Sequence, residues 1–514
     1  MLASLHSASV MGVQGFAVEV EIYIAEGFSD YAPVVVGLPD AAVRESRDRV
    51  KAALENSGFK HPESRITINL APADVRKEGP IFDLPIALGM LAASDQISSD
   101  KLSEFLIIGE LALNGAIRPV RGVLPMALLA RDKKRRGVIV PHGNSAEAAV
   151  VDGIDVYAMS TLREVADFLE GKQEAAPATS LSADAPGKNG AGHAELDFAD
   201  VKGQQSAKRA LEIAVAGGHN VLLIGPPGSG KSMLSKRLPS IMPPLSLNEA
   251  LEVTKIHSVA GLLRPGEALV HKRPFRSPHH TISDIGLIGG SSQLTPGEVS
   301  FAHHGVLFLD ELPEFKRSAL ECLRQPLEDG EVTISRASGT LKFPSQFMLI
   351  AAMNPTPTGH FGDDQRGKVS VTATQRYLNR ISAPLLDRID IHLEVRALGH
   401  REIMEQNLGE PSTSIRERVM TARGFQTERF TTRRGIWCNG QMDAKELRRH
   451  VALDSSSREL IKQAMTELGL SARAYDRILK VARTIADLSQ SATVRADHLR
   501  EAISLRTLDR QIWG

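Results

Sequence analysis

The chain has few cysteines and no long apolar run, and each absence excludes a class of protein. Only Cys322 and Cys438 occur among its 514 residues, which excludes a disulfide framework and a four-cysteine metal site. Such cysteine usage is typical of a reducing compartment. No run approaches the roughly 18 apolar residues of a membrane-spanning helix, and the N-terminus lacks the basic start and apolar core of a signal peptide. We therefore expect a cytoplasmic protein without a membrane partner.

An excess of charge of either sign is also absent. Lys plus Arg and Asp plus Glu number 61 each, so any site for a polyanion has to be a local patch. Hydrophobic residues make up 42% and charged residues 24% of the chain, as in ordinary globular proteins. A chain of 514 residues exceeds the length that one hydrophobic core usually serves. Two or three domains are therefore expected.

The clearest domain boundary is the segment 173–195, which is rich in Ala, Pro, Ser and Gly and has the composition of a flexible linker. Before it, residues 1–172 combine β-branched runs such as FAVEVEIYIAEG and SRITINLAP with the amphipathic helix AAVRESRDRVKAALENSG, which predicts a mixed α/β domain. Within 196–395 the runs NVLLIG, GVLFLD, FMLIAAMN and IDIHLEV predict buried parallel strands. Residues 396–514 are predicted to be helical.

A phosphate-binding loop is predicted at GPPGSGKS, because the glycines let backbone N–H groups turn toward phosphate oxygens. NVLLI before it predicts a strand and SMLSKRL after it predicts a helix, as this loop requires. Lys231 is expected to reach the outer phosphates of ATP, and the Ser232 hydroxyl to ligate Mg²⁺. The predicted nucleotide-binding residues are Gly225, Pro226, Pro227, Gly228, Ser229, Gly230, Lys231 and Ser232.

Polar side chains end two of the other predicted strands. In GVLFLDEL, Asp310 is expected to hold Mg²⁺ with Ser232, and Glu311 to orient and deprotonate the attacking water. Asn354 ends FMLIAAMN and is expected to hold that water in line with the terminal phosphate. Alone, an Asn-Pro step also predicts a simple turn.

Long sequence strings carry a resemblance to a known family. The strings GPPGSGKS, FRSPHH, GVLFLDELPEF, LIAAMNP, LLDRIDIH and SARAYDRILKVARTIADL together resemble the magnesium-chelatase-like AAA+ ATPases, and within them the competence protein ComM (YifB) family. The resemblance implies an α/β fold: an AAA+ P-loop core with a parallel sheet and a C-terminal helical lid. It also implies a homo-oligomeric ring, most often a hexamer, with its ATP sites between subunits.

Two arginines acquire roles from this resemblance. Arg388 in LLDRID is similar to the arginine finger that reaches the neighbouring subunit's site, and Arg473 in SARAYDR to the second sensor of the nucleotide. The catalytic residues expected are thus Lys231, Asp310, Glu311, Asn354, Arg388 and Arg473. An ion pair of Arg388 with Asp387 or Asp390 in its own subunit is the alternative that the sequence leaves open.

Two further segments distinguish this branch of the family. Residues 271–300 resemble its helix-2 insert, and EVTISRASGTLKFPSQF at 331–347 predicts a β-hairpin. Such hairpins face the central pore in similar proteins, so Arg336 and Lys342 near its tip are candidate DNA contacts. A solvated charged hairpin is an equally good interpretation. The pairs His279–His280 and His303–His304 lack the helical spacing of a zinc site.

The N-terminal domain resembles the proteolytic domain of Lon, an α/β fold of the ribosomal protein S5 domain 2 type that is also found in RadA. Where Lon carries its catalytic serine the chain has Ile81, within KEGPIFDLPIALGML, and where Lon carries its lysine it has Met126. A serine–lysine dyad needs a hydroxyl and an amine. We therefore predict a domain inactive toward peptides, with Phe82 and Leu84 serving packing.

The family resemblance implies a ring motor that hydrolyses ATP to move on branched or double-stranded DNA. The activity expected is branch migration in natural transformation and homologous recombination, with recombination proteins as possible partners. The alternative is a chaperone-like or chelatase-type remodeller that couples the same ATPase to a protein or to metal insertion. Chelatase ATPase subunits lack the Lon-like domain, which favours the motor.

Overall fold

The structure is a computed structural model that describes residues 1–27, 33–179, 196–291, 294–336, 339–360, 370–399, 409–433, 435–506 and 508. Most of the predicted linker, from residue 180 to 195, lies outside the described residues. The chain forms two compact units, one of 1–191 with 246–270 and one of 192–245 with 271–514. No helix in the described ranges is both long enough and apolar enough to cross a bilayer.

Strands and helices alternate through most of the chain. The strands are β1 (Leu2–Met11), β2 (Gln14–Ile24), β3 (Val34–Val36), β4 (Ile66–Ala71), β5 (Phe105–Ile107), β6 (Glu110–Leu111), β7 (Ile117–Arg118), β8 (Gly137–Pro141), β9 (Asp155–Met159), β10 (Val221–Ile224), β11 (Phe275–Arg276), β12 (Val306–Leu309), β13 (Glu331–Arg336), β14 (Gly339–Pro344), β15 (Met348–Met353) and β16 (Ile391–Glu394). The helices are α1 (Ala41–Asn56), α2 (Asp83–Ala93), α3 (Val123–Asp132), α4 (Ser145–Ala148), α5 (Leu162–Leu169), α6 (Gln205–Gly217), α7 (Lys231–Ile241), α8 (Leu247–Ala260), α9 (Asp284–Ile288), α10 (Glu298–Phe301), α11 (Arg317–Cys322), α12 (Arg324–Asp329), α13 (Val371–Leu378), α14 (Ala383–Leu386), α15 (Ser412–Arg429), α16 (Ala444–His450), α17 (Ser455–Leu468), α18 (Ala472–Leu488) and α19 (Ala496–Ser504).

The first unit is built on a seven-stranded mixed sheet of order β3-β4-β2-β1-β5-β8-β9. β1 and β2 pair antiparallel through a tight turn, and alternate side chains of β2, such as Val20 and Ile22, are buried while Glu19 and Tyr23 are exposed. The side-chain period of two in a strand explains this alternation. The predicted strands and the amphipathic helix of the N-terminal domain are confirmed.

The KEGPIFDLPIALGML segment forms a short 3₁₀ turn at Pro80–Phe82 followed by α2. Every residue of α2 is buried, and Phe82 and Leu84 have no exposed surface, so the predicted packing role is confirmed. Ile81 and Met126 both lie in the same hydrophobic core. The two positions at which the Lon resemblance places a serine and a lysine are therefore occupied by buried apolar side chains.

The second unit contains a five-stranded sheet of order β11-β12-β15-β10-β16 in which each pairing is parallel. The four apolar runs of the sequence are the strands β10, β12, β15 and β16, as predicted. Their residues are almost entirely buried, because helices of the second unit cover the sheet. Parallel pairing brings the carboxyl ends of β10, β12 and β15 to one edge.

Helices α15 to α19 follow the sheet and confirm the predicted helical C-terminal segment. On α18, Ile478, Ala482 and Ile485 are buried and pack toward the core of the second unit. From the same helix, Arg477 pairs with the buried Asp390 that precedes β16. This ion pair joins the helical segment to the sheet.

One segment differs from the predicted ATPase domain of 196–395. Residues 246–270, which include α8, belong to the first unit although the chain on both sides belongs to the second. The carbonyl of Ser258 on α8 accepts a hydrogen bond from Gly122 N at 3.2 Å. Next to it, the buried Glu147 accepts one from Val123 N at 3.1 Å. Burial raises the pKa of the Glu147 carboxyl to about 7. A hydrogen bond with the Ser258 hydroxyl acts in the opposite direction and lowers this pKa.

Candidate active site

The predicted phosphate loop connects β10 to α7 in the structure. Gly228 and Gly230 have φ angles of 75° and 94°, in the left-handed region that side chains disfavour. A Cβ on Gly228 would meet no atom within 4 Å, so the loop is open at this point. The Ser229 hydroxyl is buried and has no hydrogen-bond partner in the described part of the chain. Such a loop fits the phosphates of a nucleotide.

Lys231 begins α7 and is buried within the loop. Its ammonium donates to the carbonyl oxygens of Gly225 and Pro226, at 2.7 and 3.0 Å, and to Asn354 Oδ1 at 3.2 Å. Burial lowers the pKa of Lys231, and the nearby Asp310 carboxylate opposes this effect. Three of the predicted residues thus lie together, since the amide of Asn354 reaches the lysine across the sheet edge.

Ser232 and Asp310 are also brought together. Ser232 Oγ donates a hydrogen bond to Asp310 Oδ2 at 2.6 Å. A hydroxyl and a carboxylate at the end of adjacent elements are the donor set that Mg²⁺ uses beside a nucleotide. These two residues therefore fit the predicted Mg²⁺ site.

Glu311 has a side-chain partner that the sequence did not indicate. It lies at the end of β12 with φ of 54°, and its side chain is 59% exposed. His280 Nδ1 lies 3.3 Å from Glu311 Oε2. His280 follows β11, the strand beside β12, so the pairing depends on the sheet order. In the sequence, the one indication of this contact is that each residue comes shortly after a strand.

Tyr377 on α13 is a second residue that the sequence analysis missed. Its hydroxyl bonds to the backbone of Asn354. Burial raises the pKa of Tyr377 to about 12, and the Asn354 hydrogen bond opposes the shift. Tyr377 therefore supports the strand end that carries Asn354.

Arg388 lies at the other edge of the sheet, before β16. The phosphate loop follows the C-terminal end of β10, whereas Arg388 precedes the N-terminal end of the parallel strand β16. The length of a four-residue strand, about 13 Å, separates these two ends. The Arg388 guanidinium donates to the carbonyl oxygens of Arg324 and Pro384, at 3.1 and 2.7 Å, and pairs with Glu328. Its partner is therefore neither of the two aspartates that the sequence suggested.

Those two aspartates pair with arginines of α18. Asp387 Oδ2 lies 3.7 Å from Arg473 NH1, and Asp390 pairs with Arg477. Although burial acts to raise it, the pKa of Asp390 is lowered well below its usual range by Arg477. The predicted second sensor Arg473 therefore shares the sheet edge of Arg388, away from its own subunit's phosphate loop.

Arg388, Arg473 and Arg477 line one pocket of about 270 Å³. The other lining residues lie on α12, after α14, in and just before α16, and on α18: Leu327, Glu328, Asp387, Met442, Asp443, Ala444, Leu447, Asp476 and Lys480. The Arg473 side chain is 63% exposed. The pocket therefore carries arginine side chains, and no residue of the phosphate loop of the same subunit lines it.

The predicted hairpin forms from β13 and β14, with Arg336 opposite Gly339, while residues 337 and 338 of its tip lie outside the described residues. Arg336 donates to the carbonyl oxygen of Gly290 at 3.2 and 3.0 Å. Lys342 pairs with Glu331. Both candidate DNA contacts thus have partners within the subunit.

The loop, the acidic strand end and the polar strand end that meet at one edge of a parallel sheet, followed by a helical segment, define an AAA+ P-loop protein. The profile described as "Magnesium chelatase, subunit ChlI" matches residues 197–403. "Subunit ChlI of Mg-chelatase" matches 20–144, and "Magnesium chelatase, subunit ChlI C-terminal" matches 409–506.

Full-length relatives identify the branch. The chain is 44% identical over 513 residues to competence protein ComM of Haemophilus influenzae, covering 99% of this chain and 98% of that protein. It is 43% identical over 511 residues to YifB of Escherichia coli, with the same coverage of 99% and 98%. The chain belongs to the ComM/YifB family of magnesium-chelatase-like AAA+ proteins, as predicted.

Similarity to a Lon protease is also found. The chain is 32% identical over 123 residues to Lon protease 2 of Bacillus subtilis, which covers 24% of this chain and 22% of that protein. This result agrees with the Lon resemblance predicted from KEGPIFDLPIALGML.

Proposed function

We propose that the protein is a ring-forming ATPase that moves on branched or double-stranded DNA, as a branch-migration helicase in natural transformation and recombination. The observation that carries the ATPase is the meeting of Lys231, Ser232, Asp310 and Asn354 at one sheet edge. The DNA substrate is supported by the full-length similarity to a competence protein. The cellular compartment proposed is the cytoplasm.

The chain's own residues have distinct tasks in hydrolysis. Lys231 and the loop N–H groups bind the phosphates, and Glu311 accepts a proton from the attacking water. Asn354 orients that water from the adjacent strand end. Mg²⁺, when bound beside Ser232 and Asp310, supplies charge neutralisation on the phosphate oxygens.

A ring of identical subunits, most readily a hexamer, is supported by the position of the arginines. Arg388 and Arg473 lie at the sheet edge opposite the phosphate loop of their own subunit, so neither is placed to contact its own nucleotide. In a head-to-tail ring this edge faces the next subunit's site. Both arginines then act on the neighbour's nucleotide, where the finger stabilises charge on the transferring phosphoryl group.

The test is ATP hydrolysis measured with and without a four-way DNA junction, together with the conversion of labelled junctions to duplexes. We expect the junction to stimulate hydrolysis and to be converted only when ATP is present. Lys231→Ala and Glu311→Gln should abolish both activities, while Lys236→Ala, an exposed lysine of the same helix, should not. Hydrolysis that no DNA stimulates, but a protein partner does, would support a remodeller instead.

A further inference from the structure

A basic segment in the first unit is not explained by the nucleotide site. Residues 131–136 have the sequence RDKKRR, with five cations and one carboxylate, in a chain whose formal net charge is 0. The segment begins with the last two residues of α3 and continues to β8, and its side chains other than that of Arg135 are exposed. It is therefore a local positive patch on a neutral protein.

Some of these cations are neutralised within the unit and others are not. Two carboxylates pair with arginines, Arg131 with Asp132 at 3.0 Å and Arg136 with Glu104 at 2.6 Å. Arg135 donates to the carbonyl oxygen of Ser103 at 2.9 Å, which fixes its guanidinium without neutralising it. Lys133 and Lys134 are exposed and have no side-chain partner in the described part of the first unit. Three positive charges thus remain uncompensated along one short segment.

The backbone holds Lys134 in a conformation that lysine disfavours. α3 ends in a Schellman motif, in which Lys134 N donates to Arg131 O at 2.9 Å and Arg135 N to Ala130 O at 3.0 Å. Lys134 occupies the left-handed position of this motif with φ of 55°. Glycine is the usual residue there because it has no Cβ. Glycine would therefore satisfy the fold at this position with less strain, but the chain carries an exposed ammonium there.

We infer that residues 131–136 bind the phosphate backbone of DNA, at a site separate from the nucleotide site. Ammonium and guanidinium groups contact phosphates without sequence preference, as a motor on DNA of any sequence requires. The segment contains no apolar residue, whereas insertion into a lipid surface needs an apolar face. The inference rests on the proposed DNA substrate and gives the first unit a role in holding it.

The test is the salt dependence of DNA binding by the full chain. Wild type is compared with the double variant Lys133→Gln/Lys134→Gly by fluorescence anisotropy on a labelled forked duplex, with a non-hydrolysable ATP analogue. The matched control is Lys51→Gln/Lys60→Gln, which removes two exposed lysines of the same unit. Each phosphate contact contributes about 0.9 to the slope of log K against log salt. We expect the slope to decrease by about 1 to 2 in the double variant and not in the control.

The single variant Lys134→Gly serves as a separate check that the substitution leaves the fold intact. Because glycine relieves the left-handed strain, this variant should unfold at the same or a higher temperature than wild type, and its DNA-free ATP hydrolysis should be unchanged. An unchanged slope in the double variant, with wild type binding DNA, would overturn this inference and leave the proposed motor intact. No binding by wild type at any salt would overturn both. Loss of binding to phosphatidylglycerol vesicles with DNA binding unaffected would assign the segment to lipid.

Discussion

The Nδ1 atom of His280 lies 3.3 Å from Oε2 of Glu311, the carboxylate that we expect to accept the proton of the attacking water. The two residues follow adjacent parallel strands, so the sheet itself sets their separation. Glu311 has no other side-chain partner in the described ranges of the chain. His280 is therefore positioned to fix the direction in which this base points.

Replacing His280 tests that relationship. In His280→Ala we expect kcat for ATP hydrolysis to fall about tenfold, part of the effect that a positioned general base contributes. KM for ATP should stay nearly constant, because His280 does not contact the phosphate loop residues. Steady-state kinetics check both values, and His279→Ala, whose ring nitrogen contacts Thr281 instead, is the control. A raised KM with constant kcat would assign His280 to binding.

Arg388 can be tested by mixing subunits. Arg388→Ala should lower hydrolysis by about 10³-fold, as for other arginine fingers. Mixing it with Lys231→Ala subunits should restore part of the activity, at interfaces that join an intact loop to an intact finger. Because Arg388 pairs with Glu328, Glu328→Gln is the informative control. It should retain activity, whereas a loss equal to that of Arg388→Ala would mean that the pair has only a structural role.

Glu147 predicts a dependence of local stability on pH. Its pKa is raised from 4.5 to about 7 by burial, so the folded protein holds a proton that the unfolded chain releases between these values. Stability therefore falls as the pH rises through this window, by about 3 kcal/mol in total. Glu147→Gln removes the titration. Relative to wild type, the Glu147→Gln variant should therefore become more stable as the pH rises from 4.5 to 8.

Hydrogen exchange of the α3 amides is the measurement for Glu147, because it reports local stability in a chain of two units. Glu164→Gln is the control, since that carboxylate on α5 is only partly buried and accepts a hydrogen bond from Ser160 N. A difference between Glu147→Gln and wild type that stays constant with pH would show that the carboxyl does not titrate in this window.

The burial of Met126 predicts that the first unit tolerates a lysine at this position poorly. Its side chain has no exposed surface, so Met126→Lys places an ammonium in the hydrophobic core. We expect a loss of at least about 3 kcal/mol in the free energy of unfolding. Met126→Leu should cost less than about 1.5 kcal/mol. Denaturant titration compares the two, and equal stability would show that the site admits water.

Much of the second unit could be predicted because its signals are local. Strand β10, the glycines of the phosphate loop and the first residues of α7 are contiguous, and the apolar runs of a parallel sheet are distinctive. The meeting of Ser232 with Asp310 followed from the rule that parallel strands end at one edge.

The contacts that were missed depend on chain segments far apart in sequence. His280 reaches Glu311 only because β11 lies beside β12, and Arg388 meets Glu328 only because α12 packs near the start of β16. The fold also moved α8 into the first unit, although its sequence lies between two parts of the second. The strain at Lys134 was equally hidden, because a backbone angle is not visible in composition.

The path of α8 changes what the linker can be used for. The chain passes from one unit to the other not only through residues 173–195 but again at Leu245 and Ser246, and once more at Val270 and His271. A protease that cuts the linker would therefore leave residues 1–172 held by their non-covalent contacts with α8, while α8 itself stays covalently joined to the second unit. A gene fragment that stops at residue 172 would omit a helix of its own unit. Any domain swap or truncation in this family has to carry α8 with the N-terminal part.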